Sequence, residues 1–100
     1  MITTGPFYVR YAQEASAADR AEVLAIVVSV SKSLPDSVVH LCSTASSHLQ
    51  KRWHGEVRAA LVSAGIELSR IRDKGRCDAK MAKSKPEHAV AVLVGPGGRP

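Results

Sequence analysis

The segment Ser46–Gly75, SSHLQKRWHGEVRAALVSAGIELSRIRDKG, decides the fold. It reads as one amphipathic helix, a glycine stop, a short strand and a second glycine. Ser47, with Gln50 three residues on, makes a capping-box pattern that opens the helix. Leu49, Trp53, Val57 and Leu61 recur every four residues, with Ala60 and Ala64 beside them, so they share one helix face. Lys51, Arg52, His54, Glu56 and Arg58 fall mostly off that stripe. Gly65 follows as a left-handed stop, and Ile66 can fold back on the last turn. The internal Gly55 weakens the helix by roughly 1 kcal/mol relative to alanine, which a close helix–sheet contact explains.

Working outward, Val38–Thr44 (VVHLCST) is a nearly continuous apolar run that fits a buried central strand. Before it, Ser16 with Asp19 opens a first helix carried by Ala21, Leu24, Val27, Val28 and Ser31–Leu34. Its Val and Ile content lowers intrinsic propensity, so burial must hold it. Pro35-Asp36 ends it. Phe7–Tyr11 (FYVRY) reads as a first strand. After Gly65, Leu68–Asp73 is a third strand, residues 76–87 a polar basic loop, and Ala89–Val94 (AVAVLV) the last strand. The order β-α-β-α-β-β predicts one α/β (α+β) domain over residues 7–94, with two helices packed on one face of a mixed sheet. Residues 1–6 form a lead segment and 95–100 a flexible tail.

One hundred residues make one domain, and 45% hydrophobic content suffices for its core. Only 4% of residues are aromatic, so the core is aliphatic, and a base-stacking sheet is disfavoured. The net charge is +5 and the isoelectric point about 9.6. That balance suits anionic partners or plain solubility. The longest apolar run lies within Val23–Val30, well short of the ~20 residues of a membrane span. MITTGPFYV lacks the pattern of a signal peptide. Cys42 and Cys77 can bridge in an oxidising compartment if their strands are neighbours, or stand as unrelated thiols. No CxxC or HxxxH pair suggests zinc, and no cofactor motif is present.

The spacing VxxxLxxxGIxxxxIxxxG, here Val57, Leu61, Gly65, Ile66, Ile71 and Gly75, resembles the OmpA-like domain, the peptidoglycan-associating module of bacterial envelope proteins. Val38–Leu41 and Val90, Val92 and Val94 match the family's neighbouring strands. The resemblance implies a sheet backed by helices and a site for the diaminopimelate end of a cell-wall peptide. That ligand needs charge-assisted donors. The chain departs from the family at the ligand positions. Ala45 stands at the aspartate of the GxTD-type motif, and Trp53 stands where the second helix carries its arginine. Arg52 is one residue away, about 100° around the helix. The family's Arg-Arg before the last strand corresponds to His88-Ala89, and its long strand-to-helix loop is nearly missing.

The resemblance therefore implies a non-enzymatic binding or scaffold module of the envelope, in a pilus or secretion apparatus, with an eroded peptidoglycan site and a protein partner. The compartment is then periplasmic, a leader having been removed, or cytoplasmic if residue 1 is the native start. One alternative is peptidoglycan anchoring through displaced residues, Ser43, Thr44 and Arg52. Another is a cytoplasmic nucleic-acid-binding domain using the basic face of Lys51, Arg52, His54 and Arg58. For catalysis, Cys42 with His40 or His54 imitates a Cys–His pair. A lone histidine in an apolar strand is more often packed than catalytic, and no GxSxG elbow or P-loop exists. Trp53, on the apolar stripe, is expected in the core rather than stacked on a base.

Overall fold

A computed structural model of the chain describes residues 3–12, 15–84 and 88–96. The elements are β1 (Thr4–Arg10), α1 (Ala17–Ser33), β2 (Val38–Ser43), α2 (Ser47–Ser63), a 3-10 turn (Leu68–Arg70), β3 (Ile71–Arg76), α3 (Ala79–Ser84) and β4 (Ala89–Gly95). The four strands form one mixed sheet in the order β1-β4-β2-β3. β4 runs antiparallel to both β1 and β2, while β2 and β3 are parallel. The parallel pair follows from the long connection through α2, since parallel strands need such a crossover. The domain is thus α+β.

Strand alternation divides the apolar residues between two faces. Val9, Val39, Leu41, Ile71, Val90, Val92 and Val94 pack with Val27 of α1 and Trp53, Val57 and Leu61 of α2 in the main core. Cys42, Cys77 and Ala91 form a smaller cluster on the opposite face, covered in part by Tyr8 and by Met81 of α3. β2 is central and sandwiched, which is why its sequence reads as an almost unbroken apolar run.

The helix boundaries have local causes. Ser16 caps α1: its Oγ accepts from the Asp19 N–H at 3.1 Å, and Asp19 Oδ2 accepts from the Ser16 N–H at 3.2 Å. α2 ends at Gly65, whose φ is +99°. The Gly65 N–H donates to Val62 O at 3.0 Å, and the Ile66 N–H donates to Leu61 O at 3.0 Å. This is a Schellman stop, closed by Ile66 and Leu61 in the same core.

Several expectations need correction. The cap of α2 is Ser46, not Ser47; Ser46 Oγ accepts from the Leu49 N–H at 3.5 Å. Gln50 instead donates to Ser43 O at 3.3 Å and Ala45 O at 3.0 Å, clasping the short β2–α2 link. A Cβ at Gly55 would meet nothing within 4 Å, so no close contact requires glycine there. Leu68–Arg70 winds as a 3-10 turn, and the strand begins at Ile71. The basic stretch expected as loop contains α3, so three helices rather than two pack on the sheet. β1 starts at Thr4, within the expected lead, and β4 runs to Gly95. Residues 1–2, 13–14, 85–87 and 97–100, with most of the expected tail, lie outside the described residues.

Candidate functional site

The densest polar constellation joins three elements: Ser43 at the end of β2, His54 in α2 and Asp73 in β3. The His54 Nδ1–H donates to Asp73 Oδ1 at 2.9 Å, and Nε2 is hydrogen-bonded to Ser43 Oγ at 2.9 Å. The Gly75 N–H donates to Asp73 Oδ1 at 2.8 Å, which the positive φ of Gly75, +72°, allows. Arg58 Nη1 lies 3.8 Å from Asp73 Oδ2. Burial alone would raise the Asp73 pKa. The Gly75 N–H, then the contacts with His54 and the Arg58 charge outweigh it and hold the carboxyl below its ordinary 3.8.

The connectivity is that of a hydrolytic Ser-His-Asp triad. A nucleophile, however, needs one side open to its substrate. Ser43 is 0% and His54 1% exposed, so nothing from solvent reaches Oγ in this conformation. The arrangement instead ties α2 to two strands. His54 was expected on a solvated basic face; it is buried, because Trp53, His54, Val57 and Leu61 all turn inward.

Two predictions follow from this relay. Truncation by His54→Ala strips Ser43 Oγ of its partner and leaves a cavity, costing about 2 kcal/mol in a urea titration. Pairing His54→Leu with Ser43→Ala removes both partners of the buried bond and recovers part of that loss. For pH, the depressed Asp73 pKa means its contribution is complete above 3.8. It is lost as pH falls through the lower folded value. Urea midpoints measured between about pH 5 and pH 2 should fall less steeply for Asp73→Asn than for the parent chain.

The other sequence-derived site residues do not converge. Thr44 lines a hollow of about 380 Å³ at the β2–α2 junction with Ala45, Ser46, Leu49 and His88. Ser43 is buried beneath that junction, and Arg52 is exposed on α2, outside the lining. Trp53 is 8% exposed. It stacks on Tyr11 with ring centroids 4.8 Å apart and an interplanar angle of 4°. His88 meets its edge at 6.2 Å, and Arg20 lies over the far ring, 4.8 Å from the Tyr11 centroid. Burial, then the hydrogen bond and charge of Glu56, push the Tyr11 phenol well up, with Arg20 opposing.

Of the basic face, Lys51 and Arg52 remain exposed, while Arg58 turns to Asp73. Cys42 and Cys77 are bridged, so the imagined Cys–His pair has no thiol. His40 Nε2 instead lies 3.3 Å from Pro96 O. Among the described residues, no three His, Cys, Asp or Glu side chains group as metal ligands, and no helix is long and apolar enough to cross a membrane.

The relay had one sequence signal: His54 stands three residues before Val57 and seven before Leu61, on the border of the apolar stripe. Arg70, described below, had none. No model of a known protein family matches the chain, and no curated protein matches it.

Proposed function

We propose that this chain is a degenerate OmpA-like domain, serving as a non-enzymatic binding or scaffold module of the bacterial envelope within a pilus or secretion apparatus. The observation that carries the reading is Trp53. At the position where the resemblance expects a ligand arginine, the side chain is buried and stacked on Tyr11. The hollow at the β2–α2 junction, which holds Ala45 at the family's aspartate position, is lined among the described residues by Thr44, Ala45, Ser46, Leu49 and His88, none of them a carboxylate or an arginine. The retained skeleton supports the same family: Val57, Leu61, Ile66 and Ile71 share one core, and Gly65 and Gly75 hold positive φ.

The bridge between Cys42 and Cys77 supports the periplasm, since such bonds persist in oxidising compartments. The buried relay supports a non-enzymatic role, because its hydroxyl faces α2 rather than solvent. The nucleic-acid alternative is weakened by the burial of His54 and by the pairing of the half-exposed Arg58 with Asp73.

The test is a pull-down on purified peptidoglycan sacculi at physiological salt, beside an Arg52→Ala variant. The expected result is no retention of either protein. Retention that disappears in the variant would mean that displaced residues still hold the wall, and the eroded-site reading would be wrong.

A further inference from the structure

On the sheet face opposite α1 and α2, a groove of about 340 Å³ runs between the strands and α3. Its floor is apolar: the Cys42–Cys77 bridge, Leu93 and Met81. The bridge and the thioether are in contact, with Cys42 Sγ 3.6 Å from Met81 Sδ. Lys74 and Arg76 stand on the rim. A second hollow of about 230 Å³ adjoins it, sharing Asp78 and Met81 and adding Lys80 and Pro6. The two form a track in which each hollow carries cations that the other lacks, Lys74 and Arg76 in the first and Lys80 in the second, while Met81 lines both. Lys74 and Lys80 are exposed and make no hydrogen bond or ion pair among the described residues. Arg76 is held in place by Thr44 O and Ala45 O, at 3.3 and 3.5 Å.

We propose that this track docks an extended acidic segment of a partner protein. In that pose one apolar side chain rests on the bridge and Met81, and flanking carboxylates meet Lys74 and Arg76 at one end and Lys80 at the other. Charge complementarity selects the class of partner. The apolar floor lies between basic side chains, so a narrow chain reaches it and a flat bilayer does not. Asp78 lines both hollows, its Oδ1 accepting from the Met81 N–H at 2.9 Å. A continuous polyanion such as nucleic acid would be repelled there, whereas a peptide sets its carboxylates to either side. Sulfur and methylene groups adapt to the shape of an inserted side chain.

This inference rests on the reading of the domain as a partner-binding module, and it fails separately. Sacculus retention through Arg52 would overturn that reading, while the experiment below addresses only the groove. Isotope-labelled protein is titrated with a peptide of about ten residues alternating glutamate with leucine, long enough to span extended hollows of this size. A peptide with lysine for glutamate, a single-stranded DNA oligonucleotide and anionic lipid vesicles serve as parallel probes.

The expected result is amide shift changes confined to the Cys42, Lys74, Asp78, Met81 and Leu93 region with the acidic peptide only. The affinity should drop at least about tenfold in Lys74→Glu/Lys80→Glu, consistent with reversal of charges at a docking rim. Among the described residues those two exposed side chains make no hydrogen bond or ion pair, so the variant is expected to keep its fold, and a dispersed amide spectrum checks this. Shifts that centre on α2, an equal response to the lysine peptide, DNA or vesicles, an affinity unchanged by charge reversal, or no shifts at all would each overturn the proposal.

Discussion

Arg70→Ala is expected to cost about 3 kcal/mol of folding stability. Arg70 sits at the end of the 3-10 turn, and its guanidinium reaches back to the C-terminal end of α1. Nε donates to Ser37 O at 2.9 Å. Nη2 shares its two hydrogens among Ser31 O at 3.0 Å and Ser31 Oγ, Leu34 O and Ser37 Oγ, each at 3.1 Å. Ser31 is 0% and Ser37 1% exposed, so water cannot readily replace the lost donor. The positive charge also lies where helix carbonyls leave partial negative charge. Several of these oxygens keep a second partner; Leu34 O still accepts from the Ser37 N–H at 2.9 Å. That redundancy keeps the expected loss near 3 kcal/mol rather than the sum of five bonds.

For a domain of this size, such a loss lowers the melting temperature by roughly 15 °C. Arg70→Lys should recover less than half of it, because an ammonium keeps the charge but not the planar fork. Thermal unfolding followed by circular dichroism checks both variants. A lysine variant indistinguishable from the parent would reduce the clasp to a point charge. An alanine variant within about 1 kcal/mol of the parent would mean that water satisfies Ser31 and Ser37 after all.

Arg70 also marks the boundary of what the sequence could reveal. The apolar period of α2, the left-handed glycine stop and the short strands around it were legible because each is a local pattern, complete within a turn or a strand. Trp53 was legible for the same reason, since it falls on the stripe of Leu49, Val57 and Leu61. Arg70 reads as one more basic residue in RIRDKGR. Its acceptors lie 33 to 39 residues away in sequence, and only the docking of α1 beside the turn brings them near. His54 is similar: its partners are 11 residues before it and 19 after it. Basic residue type alone assigned it to solvent, and a bordering position on the stripe was too weak to overrule that.

α3 escaped for a different reason. AKMAKS offers a single large apolar residue, Met81, beside Ala79 and Ala82, and six residues are too few to show a helical period. The candidate site was less legible than the fold, because two of the positions weighed for ligand binding or charge, Ser43 and His54, are used to hold the helix to the sheet.

The bridge between Cys42 and Cys77 carries the other large effect. Replacing both residues by alanine should cost about 4 kcal/mol, as expected for opening a loop of 35 residues in the unfolded chain. The loss should also be uneven in space. Cys42 and Cys77 are central to the small cluster that anchors Met81, whereas the α1–α2 core has its own contacts. Amide exchange should therefore accelerate first in Ala79–Ser84 and at the Cys77 N–H, which donates to Ser43 O at 3.1 Å. The Leu61 and Val57 turns should retain protection close to the global limit. Urea unfolding of the double variant, and of the parent in a thiol reductant, measures the total, and exchange maps its distribution. If both preparations stay within about 1 kcal/mol of the oxidised parent, the unfolded chain is compact enough that the bridge removes little of its freedom. If stability falls but exchange rises evenly across α2 and α3, the small cluster is no separate unit. α3 would then be fastened by the whole core and not by the bridge beneath Met81.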